Sequence, residues 1–274
     1  MIHVMVNGLP GNMAELAARL VLADDQLELV PWSLTGPEID AETHTVEGTA
    51  VTLIRPETKE DRISGILENV DGVIAVDFTH PTAVNENADF YCRRAIPFVM
   101  GTTGGDRQKL EEAIRSSRIA AVVAPNMAKQ IVGFQAMMAY AADAFPGLFA
   151  GYELSIRESH QKGKADTSGT AKAMVDYFNR LGVPFPEEAI VKERDPAVQK
   201  EQWGIPEDYL SGHGWHTYRL VSSDGTVAFE FTHNVNGREV YARGTLDAVR
   251  FLDRRLAEGA QGHMYSMIDV LKGG

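Results

Sequence analysis

The chain has 274 residues, 44% hydrophobic and 23% charged, which is ordinary for a globular protein with one large core or two modest ones. Its formal charge of −12 disfavours nucleic acid and anionic lipid as partners. A single cysteine, Cys92, excludes an internal disulfide and suits a reducing compartment, and no apolar stretch reaches the roughly 20 residues that a membrane helix requires.

The opening Met-Ile-His-Val-Met-Val reads directly as a strand with no basic leader before it, so the expected compartment is the cytoplasm. Residues 2–6 form that strand, and an Ala/Leu-rich helix is expected over 13–23. Further buried strands are expected at 27–34, 72–78, 97–100 and 119–124, with helical spacing at 58–69, 81–95 and 106–117. Apolar strands alternating with helices imply a doubly wound α/β fold, a Rossmann-like parallel sheet that binds ligands at the carboxyl ends of its strands.

Beyond Asn126 the pattern changes. A long helix is expected over 128–145, a strand over 152–160 and a helix over 169–181. The charged, proline-punctuated stretch 187–210 reads as an exposed excursion. Residues 215–222 and 226–235 alternate around Ser223-Asp224-Gly225, a hairpin signal, and Asn236-Gly237 offers another tight turn before an extended 238–242. Helical segments at 245–256 and 264–271 then return to the first domain. The expected division is therefore 1–127, completed by 243–274, for a nucleotide-binding domain, and 128–242 for an α+β domain with a mixed or antiparallel sheet.

Gly8-Leu9-Pro10-Gly11-Asn12-Met13 lies between the first strand and helix. Glycines there admit a pyrophosphate close to the backbone, and the helix start offers free N–H groups. The spacing is not the full G-x-G-x-x-G, and a plain strand-to-helix turn is the alternative. Asp77-Phe78-Thr79 and Gly101-Thr102-Thr103-Gly104 end later strands, where a nicotinamide ribose would lie; ordinary capping by Thr79 and Thr103 is the alternative. The segment Glu158-Ser159-His160-Gln161-Lys162-Gly163-Lys164-Ala165-Asp166-Thr167-Ser168-Gly169-Thr170 combines a histidine, cations and a helix start. His160 can donate a proton, Lys164 can pair with a carboxylate, and the amides after Ser168 can hold one; a solvated loop is the plainer reading. His213, His216 and His233 have no carboxylate or cysteine at metal-ligand spacing, so no metal is expected. Cys92 reads as a small packed residue rather than a nucleophile.

Taken in order, Gly8–Met13, Asp77-Phe78-Thr79, Gly101-Thr102-Thr103-Gly104, Ala124-Pro125-Asn126-Met127, His160…Lys164…Ser168-Gly169-Thr170 and Thr232-His233…Arg238…Ala242-Arg243-Gly244 resemble the motifs of the dihydrodipicolinate reductase family, with wording closest to its plant-type branch. The resemblance implies reduction of 4-hydroxy-tetrahydrodipicolinate to tetrahydrodipicolinate in lysine and diaminopimelate biosynthesis, and a homotetramer assembled through the second domain's sheet. It makes His160 the general acid and Lys164 the substrate cation, with Gln161, Ser168, Gly169, Thr170 and Arg238 on the substrate. Gly8, Leu9, Pro10, Gly11, Asn12 and Met13 would hold the pyrophosphate, and Phe78, Thr79, Gly101, Thr102, Thr103, Ala124, Pro125, Asn126 and Met127 the nicotinamide side.

Three departures stand out: Gln161 replaces a second histidine, the loop before Ser168 is short, and no acid ends the second strand before Glu38. Ser33 and Thr35, in that last turn, are the expected donors to a 2′-phosphate, with Arg55 at a distance. The expected cofactors are therefore NADPH, preferred, and NADH. A reductase of another small dicarboxylate or amino acid, or a nicotinamide sensor without turnover, are the competing readings.

Overall fold

The computed structural model describes residues 1–273. Its elements run β1 (Ile2–Asn7), α1 (Asn12–Leu22), β2 (Leu27–Leu29), β3 (Trp32–Leu34), β4 (Thr43–Val46), β5 (Thr49–Ile54), α2 (Lys59–Asn69), β6 (Ile74–Asp77), α3 (Val84–Arg93), β7 (Phe98–Met100), α4 (Arg107–Arg115) and β8 (Ala120–Val123). After these come α5 (Lys129–Ala144), β9 (Tyr152–His160), α6 (Gly169–Arg180), β10 (Val191–Glu193), α7 (Pro196–Glu201), β11 (His213–Ser222) and β12 (Ala228–Asn236). The chain closes with α8 (Glu239–Ala257), β13 (His263–Tyr265) and α9 (Met267–Lys272). It separates into two units, one built from Met1–Lys129 with the stretch from Glu239 onward, the other from Gln130–Arg238.

The first unit holds a parallel six-stranded sheet in the order β13-β8-β7-β6-β1-β2. Every residue of β6, β7 and β8 is buried, as expected of strands covered on both faces. On α1 the buried stripe is Ala14, Ala17, Ala18 and Val21, small residues at helical spacing that let the helix lie close to its neighbours.

The expected single strand over 27–34 is two. β2 joins the main sheet, whereas β3 pairs with β5 in a separate three-stranded sheet, β3-β5-β4. Pro31 stands at the break, where a residue without N–H cannot continue a ladder. The extended segment expected at 238–242 is helix instead. Gly237 turns at φ 73°, α8 starts at Glu239, Glu239 pairs with Arg243 one turn later, and Ala242, Thr245, Leu246 and Val249 form its buried stripe. The stretch expected to be helical from 264 begins with β13, and the helix follows as α9.

The second unit carries a four-stranded sheet, β10-β9-β11-β12. β9 and β12 flank β11 antiparallel, and β10 runs parallel to β9. Ile156, Met174, Phe178, Tyr218 and Leu220 form its core, where α6 covers the sheet. The stretch 187–210 is largely exposed, as expected, but Ile190, Gln199 and Ile205 anchor it by burial, and β10 and α7 lie within it.

Candidate functional site

The loop after β1 is a cradle for an anion in unit 1. Gly8 has φ 107°, and a methyl group there would strike the carbonyl of Phe78, so only glycine lets the ends of β1 and β6 approach. Gly11 donates its N–H to the Gly8 carbonyl (2.8 Å) and caps α1 without a side chain, which leaves the helix start open to a phosphate. A groove of about 810 Å³ adjoins it, with Gly8, Pro10, Gly36, Glu38, Lys59 and Phe78 among its walls. The glycines, the open helix start and the groove volume fit a nicotinamide dinucleotide.

Ser33 and Thr35 are tied to the Leu9 loop beside that groove, and Thr35 is among its walls. Both are buried; Ser33 Oγ accepts the Leu9 N–H (3.3 Å), and Thr35 Oγ1 donates to the Leu9 carbonyl (2.6 Å). Their hydroxyls hold the loop through Leu9, and Ser33 Oγ also donates to the Leu34 carbonyl (3.3 Å). Glu38 instead brings its carboxylate across Gly36 at the groove wall. Arg55 is paired with Asp40 (3.0 Å), and Lys59 with Glu86.

Asp77, fully buried at the end of β6, organises the next strand ends. Its carboxylate accepts from Tyr91 Oη (2.8 Å), Asn87 Nδ2 (3.1 Å), Thr79 Oγ1 (2.8 Å) and Thr102 Oγ1 (2.7 Å). Asn7 Nδ2 donates to Tyr91 Oη (2.9 Å) and Asn7 Oδ1 accepts the Leu34 N–H (2.8 Å), which extends the network to β1 and β3. Burial, and then the Asp77 charge, push the Tyr91 phenol well above its ordinary pKa, so it remains a donor. The hydroxyls of Thr79 and Thr102, expected to face the nicotinamide, are thus committed to Asp77. The strand-end caps are His80 and Asp106 rather than Thr79 and Thr103. The Phe78 ring packs on Gly101 where a side chain would stand. Ala124 donates to the Met100 carbonyl (3.1 Å), Asn126 Oδ1 accepts the Ala128 N–H (2.9 Å), and the Met127 carbonyl lies against Gly244 of α8. Asn87 and Tyr91 stand one turn apart on α3, a spacing from which their shared role could be read.

Unit 2 gathers the remaining site residues. His160 pairs across β9 and β11 with Gly214, whose missing side chain leaves room for the imidazole. Its Nδ1 donates to the His213 carbonyl (3.0 Å), which fixes the tautomer and leaves Nε2, buried and without a hydrogen-bond partner among the described residues. Nε2 lies 3.9 Å from Oε2 of Glu158, a fully buried carboxylate that also accepts the Ser168 N–H (3.1 Å) and stands 3.6 Å from His216 Nε2. Burial works against the Glu158 charge, yet hydrogen bonds from His216, Arg194 and Ser168 hold its pKa down at about 2. His160, expected to titrate near neutrality, is pushed down to about 4, first by burial and then by His216, against the pull of Glu158.

Other expected substrate contacts divide. Ser168 Oγ caps α6 through the Ala171 N–H (3.2 Å) and pairs with His216 Nε2 (3.0 Å), so that hydroxyl is structural. Gly169 and Thr170, exposed and half-buried, keep first-turn amides available to a carboxylate. Lys164 Nζ is paired with Asp166 (3.0 and 3.1 Å) in its own loop. Gln161 is half-buried, and the Arg238 guanidinium lies over Gly212.

A carboxylate does meet two histidines, contrary to the sequence spacing: donor atoms of Glu158, His160 and His216 all lie within 4.8 Å of one another. Both Glu158 oxygens are already bonded, one of them to a guanidinium that opposes a dication. His213 is engaged on both nitrogens, with Ser159 Oγ (2.9 Å) and the Tyr209 carbonyl (2.9 Å).

Comparison with known proteins bears on both units. The family described as dihydrodipicolinate reductase, N-terminus, matches residues 2–127, and dihydrodipicolinate reductase, C-terminus, matches residues 131–271. The chain is 46% identical over its whole length to 4-hydroxy-tetrahydrodipicolinate reductase 1, chloroplastic, of Arabidopsis thaliana, covering 78% of that protein. It is 44% identical over 99% of its length to probable 4-hydroxy-tetrahydrodipicolinate reductase 2, chloroplastic, of Oryza sativa subsp. japonica, covering 83% of it. Among solved structures, dipicolinate-bound dihydrodipicolinate reductase from Paenisporosarcina sp. TG-14 has a TM-score of 0.64 at 20% identity, with 97% of each chain covered, a likeness of fold. No described helix is long and apolar enough to cross a membrane.

Proposed function

Because the chain belongs to the dihydrodipicolinate reductase family, we propose that it reduces 4-hydroxy-tetrahydrodipicolinate to tetrahydrodipicolinate, releasing water and consuming NADH or NADPH. The observation that carries this reading is the convergence in unit 2 of a buried imidazole with a free Nε2, a lysine and an open helix start. When bound in the groove beside Gly8 and Gly11, the nicotinamide supplies the hydride.

The protein's own residues supply the rest. The first-turn amides of Gly169 and Thr170 hold one substrate carboxylate, and Lys164 exchanges Asp166 for the other. His160 is neutral in the free protein at pH 7, because its pKa lies at about 4. Carboxylates arriving beside it favour the imidazolium, so the proton is taken up on binding and passed from Nε2 to the reduced ring.

NADH and NADPH both serve in this proposal. The expected preference for NADPH loses its donors with Ser33 and Thr35, and Glu38 becomes the residue that weighs against a 2′-phosphate. A homotetramer belongs to the same reading; β12 is an edge strand with Phe229 exposed, which suits assembly through this sheet. The unpaired Cys92 suits a reducing compartment, whether cytoplasm or plastid stroma. The test is a spectrophotometric assay of nicotinamide oxidation with freshly generated cyclic substrate, beside acyclic amino acids and semialdehydes. Turnover confined to the cyclic dicarboxylate supports the proposal, and turnover only with another acid overturns it.

A further inference from the structure

Arg194 follows β10, in the charged stretch to which the sequence assigns no role. Its side chain is only 17% exposed, and its guanidinium reaches in several directions within unit 2. Nη2 donates to Oε1 of Glu158 and to the Asp166 carbonyl (3.3 Å), Nε donates to the Lys164 carbonyl (2.6 Å), and Nη1 donates to the Glu193 carbonyl (2.8 Å). One side chain therefore ties together the strand that carries His160, the loop that carries Lys164, and the end of β10. Gln199 of α7 reinforces the junction, donating to the His160 carbonyl (2.7 Å).

The same guanidinium enters the charge balance around His160. Glu158 faces Nε2 from its own strand at 3.9 Å. From β11, His216 meets the ring edge-on (centroids 5.1 Å apart) and His213 accepts from Nδ1; from β12, His233 stacks behind His216 (4.6 Å). Lys164 and Asp166, in the adjoining loop, neutralise each other. Glu158 stabilises an imidazolium at His160, and Arg194 opposes one by partly cancelling Glu158.

We propose that Arg194 is a positioning residue for the reduction: it locks the Lys164 loop to β9 and tempers the Glu158 charge beside the proton donor. The proposal rests on the reading of His160 as donor and Lys164 as substrate cation. A planar fork is needed, because a lysine supplies one point charge and cannot reach a carboxylate and two loop carbonyls together.

The test uses the full chain in four forms, wild type, Arg194→Gln, Arg194→Lys and Glu158→Gln, each with two readouts. NMR titration of isotope-labelled imidazole gives the His160 midpoint directly. Steady-state kinetics gives kcat and KM for the cyclic dicarboxylate. Arg194→Gln should raise the midpoint, Glu158→Gln should lower it, and Arg194→Lys, which keeps the charge, should leave it near wild type. Both Arg194 variants should lose about 10- to 100-fold in kcat/KM, mostly through KM, as expected for losing one charge-assisted anchor.

Simple loosening of the fold would move every midpoint upward toward that of a solvated histidine, so opposite displacements by the two partners of one ion pair separate the accounts. If Arg194→Gln does not fold, Arg194→Lys and Glu158→Gln decide. Midpoints that move together or not at all, or wild-type kcat/KM in Arg194→Lys, overturn the proposal. The titration needs no turnover, so an inactive wild type would count against the functional reading while the positioning role is still judged by the midpoints.

Discussion

At the scale of single residues, the groups proposed to touch ligand and the groups that hold them are chemically alike and differ only in their partners. Lys164 carries its charge on the short loop before α6 and is balanced by Asp166, a pairing that a substrate carboxylate displaces in the proposed reading. Lys164→Ala should lower kcat/KM about ten- to a hundredfold, since a hydrogen bond to a charged group is worth about 1.5–3 kcal/mol and persists into the transition state. Unchanged steady-state constants would remove Lys164 from the substrate site. Glu38 stands over Gly36 at the groove wall, and in the proposed reading its charge weighs against a 2′-phosphate. Glu38→Gln should raise the efficiency of NADPH relative to NADH by about fivefold, corresponding to roughly 1 kcal/mol of relieved repulsion. Paired titrations showing the ratio unmoved would place cofactor choice elsewhere in the groove.

At the scale of elements, Gly244 of α8 is where the helix meets the loop that carries Met127. A methyl group there would collide with the Met127 carbonyl, a backbone atom with little freedom to yield. Gly244→Ala should cost about 1–3 kcal/mol and lower the melting temperature by several degrees in calorimetry. An unchanged melting temperature would show that α8 can shift without strain. The strands β6, β7 and β8 are legible in the sequence because burial on both faces writes them as unbroken apolar runs. The hairpin of β4 and β5 is not, because Glu47 takes φ 46° before Gly48 and Glu-Gly is no hairpin signature. Ser33, Thr35, Thr79 and Thr102 are recognisable as polar strand-end residues, but their bonds run to Leu9 and Asp77, partners that only the tertiary fold supplies. Arg194 was hidden for the same reason: its partners are a carboxylate and two carbonyls about 30 residues earlier in the chain.

At the scale of the whole molecule, the buried cluster of unit 2 that is proposed to supply the proton also sets a pH dependence of stability. Burial first, then neighbouring imidazoles, push His160 to about 4 and His233 to about 3, and burial also lowers His213. An unfolded histidine titrates near 6.5, so between that value and the folded ones the unfolded chain binds more protons. The contribution is fully present above about pH 6.5 and is lost as pH falls. Glu158, at about 2 in the fold and about 4.5 unfolded, adds a further loss below about pH 4.5. The melting temperature should therefore fall from pH 7.5 to pH 5, and His233→Gln should flatten that decline; a flat wild-type profile in scanning calorimetry would contradict the buried neutral imidazoles. A proton donor at His160 acting on a cyclic dicarboxylate is tested most directly by nicotinamide oxidation by wild type and His160→Ala with freshly generated 4-hydroxy-tetrahydrodipicolinate. The wild type should oxidise the cofactor rapidly, and the variant should turn over about 10²–10⁴-fold more slowly at equal NADPH affinity. A wild type that oxidises no cofactor with this substrate, or a folded variant that turns over like wild type, would contradict it.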